Sequence, residues 1–263
     1  MDNIHEGLKL FTLWLLAFVR FVGFFVQAPI WGSHHFDKKV LIALGATMSL
    51  IVFPNLPVPD TIVFDVFPYF LMIFTQFVTG LMIGFASFMV MAIAQFGGEL
   101  LDTQMGLSVA ASFDPASGGS TNMMRRLMFY LAMILYLIFD GHHYLIQAMF
   151  RSFDVIPVTG VHISSGLITH LIQLTGTIFE LGIKIAAPSL AALFLTQIAL
   201  GLLARVAPQM NVFMLSFPLN IAVGLTLLSS SLWILFMTYQ NMFIQNNKDV
   251  LRAIEMMIPV VPK

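Results

Sequence analysis

The sequence contains no cysteine. This absence excludes disulfide bonds, thiolate metal sites and a cysteine nucleophile. Charged residues are also scarce: they make up 10% of the chain, whereas soluble domains average about 25%. The formal net charge is −1 and no basic run is present, so we expect no binding to nucleic acid.

Apolar residues take the place of the missing charges. They account for 59% of the 263 residues, including 26 Phe and 18 Met. A water-soluble fold of this length would have to bury more apolar surface than it can. The apolar runs are continuous and lack the alternation of a barrel strand. We therefore predict an all-α integral membrane protein.

Six apolar segments predict these helices. They are 8–28, 40–53, a third that starts near 67 and runs past 95, 124–139, 178–203 and 214–243. A helix that spans the hydrocarbon core needs about 20 apolar residues, so the second and fourth segments are short and the third and sixth are long. No linker or change in composition divides the chain, and we predict a single domain, 1–263.

The basic residues do not orient the six segments by the positive-inside rule. If the segments alternate across a membrane, each side carries five Lys or Arg. One side holds Lys38, Lys39, Arg125, Arg126 and Arg205, and the other holds Lys9, Arg151, Lys248, Arg252 and Lys263. Two explanations stay open: the topology signals are weak, or not every segment spans a bilayer.

A few polar groups interrupt the apolar segments, where a charge is costly unless it is paired or lines a cavity. We expect Arg20 to reach the membrane surface or to meet another subunit. Glu180 and Lys184 are four residues apart and predict an ion pair on one helix face, either self-neutralised or at a seam with a neighbouring polypeptide. Gly80 and Gly84 have the small-residue spacing that allows close helix contact.

Catalytic patterns are missing from the sequence. Paired histidines at 34–35 and 142–143 lie near aspartates, but adjacent side chains on a helix do not face each other, and no HExxH motif accompanies them. No Ser/His/Asp order, glycine-rich phosphate loop or nucleotide motif is present. We predict that the protein is not an enzyme and has no metal and no cofactor.

Three stretches resemble the FliR family of bacterial flagellar export proteins, relatives of the SctT component of injectisomes. They are GGELLDTQMGLSVAASFDPASG (97–118), YLIFDGHHYLI (136–146) and LLARVAPQMNVFMLSFPLNIAVG (202–224). The resemblance extends over essentially the whole chain. The sequence DPAS at 114–117 favours the flagellar branch of the family over the injectisome branch.

The resemblance implies an architecture and a function. The family is similar to a fusion of FliP-like and FliQ-like hairpins, and one copy assembles with FliP and FliQ into a helical export gate. That gate belongs to the bacterial inner membrane within the flagellar basal body, with helices projecting towards the periplasm. It implies a channel subunit that passes unfolded flagellar proteins, with FlhB and membrane lipid as further partners.

The resemblance also implies that the loop after residue 105 plugs the pore of this gate. Glycines permit unusual backbone conformations, Pro115 interrupts helix, and methionines seal irregular gaps. The predicted plug residues are Met105, Gly106, Leu107, Val109, Phe113, Asp114, Pro115, Gly118, Gly119, Asn122, Met123 and Met124. The alternative is an ordinary surface loop between two helices.

A second set of residues is predicted to be structural or to lie at subunit interfaces. Besides Arg20, Glu180 and Lys184, it contains Arg205, Pro208, Gln209 and Asn211. The last four form either a capped turn between helices or, as the resemblance implies, an edge that contacts FlhB. Alternatives for the whole chain are the injectisome SctT equivalent and a small-solute transporter, although we find no convincing internal repeat of the kind that transporters carry.

Overall fold

The computed structural model describes residues 2–32, 37–57, 66–107, 122–158 and 165–258. These residues form seven α-helices and, within the described ranges, no strand. The helices are α1 (Asp2–Gln27), α2 (Lys38–Val52), α3 (Val66–Gln104), α4 (Met123–Ile138), α5 (Gly141–Val155), α6 (Ser165–Val206) and α7 (Val212–Glu255). The prediction of an all-α fold is confirmed.

Helix α5 is the element that the sequence reasoning missed. Its buried residues fall on one face, at Gly141, Leu145, Ala148, Met149, Ser152 and Phe153. This is the spacing of an amphipathic helix. A search for continuous apolar runs overlooks such a helix, because polar residues separate its apolar positions. The same criterion placed the start of α6 too late and the end of α7 too early.

Five of the described helical stretches are long and apolar enough to cross a membrane. Four of them lie in α1, α3, α6 and α7, and the fifth is α2 with the short turn that follows it. Helices α6 and α7 contain 42 and 44 residues, so each is about 63–66 Å long at 1.5 Å per residue. The hydrocarbon core is about 30 Å thick. These two helices are therefore about twice as long as a membrane crossing requires.

The chain divides into two compact units, and each unit is discontinuous in sequence. The first unit contains 1–89, 140–174 and 244–263, and the second contains 90–139 and 175–243. Three long helices contribute to both units, so three of the four boundaries between the units fall inside a helix. The single domain 1–263 stays a prediction.

In the first unit, α1 and α3 are in direct backbone contact. A Cβ atom added to Gly80 would lie 1.9 Å from the Arg20 carbonyl oxygen, and one added to Gly23 would lie 2.2 Å from the Phe77 carbonyl oxygen. At Gly84 the corresponding distance to the Phe24 carbonyl oxygen is 2.6 Å. The predicted close approach at Gly80 and Gly84 is confirmed, and its partner is α1.

The Arg20 side chain is completely buried in the first unit by groups of this chain. Its Nε donates to Gln76 Oε1 at 2.6 Å. The two Nη atoms donate to the carbonyl oxygens of Ser152 and Ile156 at 3.0 and 3.1 Å. The guanidinium also lies 4.3 Å from the ring centroid of Phe153. The expectation that Arg20 reaches the surface or meets another subunit is wrong.

The position of Arg20 has a simple physical reason. The last carbonyl groups of a helix have no partner inside the helix, and a cation is favourable at that end. Ile156 is the residue at which α5 ends, and Arg20 donates to its carbonyl oxygen. Arg20 also adds a second hydrogen bond to the Ser152 carbonyl, which already accepts the Ile156 N–H, and Gln76 binds Arg20 from α3. Gln76 in turn donates to the Val158 carbonyl oxygen at 2.7 Å. One buried cation thus ties α1, α3 and the end of α5 together.

Substitution Arg20→Met is expected to destabilise the protein while keeping most of the side-chain volume. The variant leaves buried hydrogen-bond acceptors unpaired, and this should lower the free energy of unfolding by about 3 kcal/mol. Thermal unfolding in mild detergent would measure this loss. Arg151→Met, at an exposed arginine of α5, is the matched control and should change stability by about 0.5 kcal/mol or less. Equal stability of the two variants would contradict the structural role of Arg20.

In the second unit, glycines bring α3 against both α4 and α6. A Cβ atom on Gly98 would lie 2.6 Å from the Arg125 Cα of α4, and one on Gly97 would lie 3.2 Å from the Gly182 carbonyl oxygen of α6. In the sequence, the adjacent glycines Gly97 and Gly98 predict a hinge at this point of the chain. Instead α3 continues through them as helix, because these glycines provide space for close packing.

Candidate functional site at the base of the 106–122 loop

Helix α3 ends at a glycine that turns the chain sharply. The Met105 N–H donates to the Leu101 carbonyl oxygen at 2.9 Å, and the Gly106 N–H donates to the Thr103 carbonyl oxygen at 3.2 Å. Gly106 has a φ of +77°, a left-handed conformation that glycine adopts at low cost and that ends many helices. The segment 106–122, which the sequence predicts to be a loop, therefore begins at a defined point.

Two residues of α7, Phe217 and Gly224, pack against this end of α3. The Met105 side chain is buried, with 1% of its surface exposed, and a Cβ atom on Gly224 would lie 2.8 Å from its Sδ and Cε atoms. The next residue, Gly106, is so close to Phe217 that a Cβ atom there would lie 2.9 Å from the ring. Met105 thus fills the space left by a glycine on the neighbouring helix, and it anchors the loop at its start.

The other end of the loop is held by Asp102 of α3. This buried carboxylate accepts the N–H groups of Met124 and Arg125, each at 2.9 Å. Those groups belong to the first turn of α4, whose own cap residue, Asn122, makes no side-chain capping bond. A carboxylate at a helix N-terminus satisfies free N–H groups and complements the helix dipole. Asp102 therefore fixes the end of the loop next to its beginning.

Arg125 adds a second connection between α3 and α4. Its guanidinium donates to Gln95 Oε1 through Nη2 at 3.0 Å and through Nε at 3.3 Å. It also lies 3.8 Å from the Glu99 carboxylate, in a pair whose side chains are about half exposed. A cation at a helix N-terminus is unfavourable, and the acceptors of α3 offset this cost. From the sequence, an acidic group of a partner or the nearby Asp114 is the expected companion of Arg125, whereas the structure places Glu99 beside it.

Substitution Asp102→Asn is expected to loosen the base of the loop. An amide keeps the shape but loses the charge and one acceptor oxygen, which should cost about 1 kcal/mol, as loss of a helix cap does. Hydrogen exchange at the amides of Met124 and Arg125 should become faster. Glu99→Gln makes the same chemical change one turn earlier, at an exposed pair that contributes little, and should leave both amides protected. Unchanged exchange in Asp102→Asn would show that the carboxylate does not hold α4.

The structure describes only half of the predicted plug residues. Met105 and Met124 are buried, Met123 is exposed, and Gly106, Leu107 and Asn122 are partly buried. The remaining predicted residues lie outside the described residues: Val109, Phe113, Asp114, Pro115, Gly118 and Gly119. Of the predicted plug, the two ends are therefore placed, and both lie in the second unit.

The predicted structural residues of α6 and of the turn after it are all exposed. Lys184 Nζ donates to Glu180 Oε1 at 2.6 Å, so the predicted ion pair is confirmed. Arg205 is in the last turn of α6, and Pro208 and Gln209 follow on the surface. The Asn211 side chain accepts the Met214 N–H at 3.3 Å. The turn is thus a capped helical connection, as one of the two interpretations predicted.

Sequence reasoning missed the polar residues that hold the loop. Gln95, Glu99 and Asp102 are four and three residues apart, so they share one face of α3. A polar stripe on an otherwise apolar helix indicates that a polar partner lies against it. This signal was present in the sequence. The contacts of Gly224 and Phe217 had no such signal, because they depend on where α7 packs.

Comparison with known proteins places the chain in a family. A family model described as "Bacterial export proteins, family 1" matches residues 11–245. The chain is 32% identical over 226 residues to the flagellar biosynthetic protein FliR of Escherichia coli, covering 86% of each chain. It is 35% identical over 208 residues to FliR of Pectobacterium carotovorum, covering 79% of each chain. With FliR of Bacillus subtilis the identity is 30% over 243 residues, or 91% of this chain and 93% of that one.

The match covers the helices that build the base of the loop, from Gln95 of α3 to Gly224 of α7. It also covers Arg20 and the glycines that join α1 to α3. The chain therefore belongs to family 1 of the bacterial export proteins, the family of the flagellar biosynthetic protein FliR.

Proposed function

We propose that this chain is a channel subunit of the flagellar type III protein export gate in the bacterial inner membrane. It assembles with FliP and FliQ, forms part of the pore for unfolded flagellar proteins, and contributes the loop that plugs this pore. The names of the relatives support a role in flagellar biosynthesis. The partners, the pore and the plug are our proposal.

The observation that carries the proposal is the uncovered apolar surface of α6 and α7. Among the 18 most apolar consecutive residues of each helix, only 22% in α6 and 17% in α7 are buried by this chain, compared with 61% in α3. Lipid can cover about 30 Å of such a helix, and these helices are about twice as long. Apolar surface beyond the bilayer needs a protein partner. Other helical subunits, such as FliP and FliQ, are suited to cover it.

The geometry of the loop base supports the plug. A plug has to stay in place while its tip moves aside, so its base must be fixed. Asp102 fixes one end of the loop to α3, and Met105 fixes the other end against α7. The sequence between them has a single charged residue, Asp114, and carries Val109 and Phe113 as apolar bulk. A nearly neutral plug would not trap unfolded substrates by charge.

The turn between α6 and α7 is our candidate contact for FlhB. Arg205, Pro208 and Gln209 are exposed there, and an exposed arginine next to a rigid turn is well suited to bind an acidic partner surface. Energy for export would come from other components, since the sequence has no nucleotide motif.

Co-purification tests the proposed function. The full-length chain should form a stable complex when it is expressed with FliP and FliQ and extracted in mild detergent. Expressed alone, it should aggregate or be degraded, because α6 and α7 remain uncovered. A well-ordered, monodisperse chain that transports a small solute by itself would overturn the proposal in favour of a transporter.

A further inference from the structure

Two histidines and an aspartate converge where α5 begins, in the first unit. One ligand atom from each of Asp140, His142 and His143 lies within 4.8 Å of the other two. His143 Nδ1 is 3.1 Å from Asp140 Oδ1, and the rings of His142 and His143 have centroids 4.1 Å apart. In the described part of the chain, this is the only group of three such residues with converging ligand atoms.

Convergence here contradicts the sequence argument that adjacent histidines on a helix point apart. Asp140 has a φ of +56°, a left-handed conformation that is uncommon for a residue other than glycine. It immediately precedes the first residue of α5, so the chain turns sharply at this point. The aspartate is thereby carried back over the first turn of the helix, towards the histidines. Asp140 also follows the last turn of α4, a position at which helices commonly end with a left-handed residue, and aspartate tolerates that conformation better than most residues.

One histidine nitrogen in this group has no hydrogen-bond partner within the described residues. It is the Nδ1 of His142, which is shielded from solvent. A buried nitrogen without a partner costs free energy, and a bound metal ion would remove that cost. The hydrogen bond between Asp140 and His143 explains why these two side chains lie together, but it provides no partner for the Nδ1 of His142.

We propose that Asp140, His142 and His143 bind a divalent transition-metal ion, with Zn²⁺ as the best match. Imidazole and carboxylate are ligands that Zn²⁺ accepts at about 2.0–2.2 Å, so two of its ligands are at most about 4.4 Å apart. The 3.1 Å pair already satisfies this limit, and a small rotation of one ring satisfies it for the third ligand. Water completes the coordination, because Asp140 and His143 are exposed. The ion would clamp the first turn of α5 to the residue before it.

Metal analysis of the full-length chain tests the site. The chain, with a tag that contains no histidine, is purified in mild detergent in the assembly with which it is isolated. It is then dialysed against Zn²⁺ and, separately, against Co²⁺. We expect one Zn²⁺ per chain and a Co²⁺ absorption spectrum typical of imidazole ligation. His142→Gln, His143→Gln and Asp140→Asn should each weaken Zn²⁺ binding by at least about tenfold, the lower end of the range for losses around a metal site.

The chain offers a matched control in its other adjacent histidine pair, His34 and His35. The double substitution His34→Gln with His35→Gln should leave the metal content unchanged. Chemical modification of the wild-type histidines by diethylpyrocarbonate adds a measurement that needs no variant: Zn²⁺ should protect His142 and His143. The proposal is overturned if the wild-type chain binds no Zn²⁺, if the control variant loses it, or if Zn²⁺ leaves both histidines open to modification.

Discussion

Deletion of residues 108–121 is expected to make the closed export gate leak ions. In this variant a short Gly-Ser linker joins Leu107 to Asn122. The assembly should still form, because the contacts that hold the loop base lie outside the deletion: Asp102 to α4, and Met105 to α7. In the proposed function, what is lost is the apolar bulk that fills the pore, and a hydrophobic constriction blocks ions by excluding water. Membrane conductance of cells that carry the assembled complex should rise severalfold.

A pair of substitutions separates apolar bulk from charge in this experiment. Phe113→Ser removes the largest apolar side chain of the loop and should reproduce part of the leak. Asp114→Asn removes the loop's only charge, keeps its size, and should not leak. If the deleted complex assembles and its conductance equals that of the wild type, the loop is not a plug, whereas the co-purification with FliP and FliQ would be unaffected by that result.

Gly80→Ala is expected to prevent stable folding of the first unit. The added methyl group would lie 1.9 Å from the Arg20 carbonyl oxygen and 2.8 Å from the Phe24 backbone nitrogen. These are rigid backbone atoms, so α1 and α3 would have to move apart along their whole contact. Overpacking of a core typically costs about 1–3 kcal/mol, and we expect at least the upper end of that range. The amount of chain recovered from membranes and its thermal stability in detergent would measure the effect.

Gly176→Ala is the matched control, since no atom outside its own stretch of helix backbone lies within 4 Å of the position of its Cβ. Both glycines are inside helices, and alanine is the better helix former by up to about 1 kcal/mol. Helix propensity alone would therefore make both variants more stable. A Gly80→Ala variant that is as stable as Gly176→Ala would mean that α1 and α3 do not meet at this glycine.

Together, these results would separate two parts of the molecule. The first unit has a rigid core, in which glycine contacts and the buried Arg20 network hold α1, α3 and α5. In the second unit, the same helix α3 carries the residues that hold the loop. Disruption of the core of the first unit should affect folding, whereas disruption of the residues that hold the loop in the second unit should affect closure of the proposed gate.

Some polar features could be read correctly from the sequence because they depend on near neighbours. Glu180 and Lys184 pair across one helical turn, and Asn211 caps the helix that it precedes. Arg20 could not be read this way. Its acceptors at Ser152 and Ile156 are more than 130 residues away in sequence, and α5, to which Ser152 belongs, was itself not predicted.

The sequence by itself determined the class of the protein: a chain with so many apolar and so few charged residues has to form helices that lipid or protein covers. Its motifs also determined the family. Only the tertiary structure decided which face of each helix is covered by this chain, that Asp102 holds the start of α4, and that Asp140 lies against two histidines. The physical reason is that composition and helical period act locally, whereas backbone contacts and buried hydrogen bonds depend on how distant helices pack.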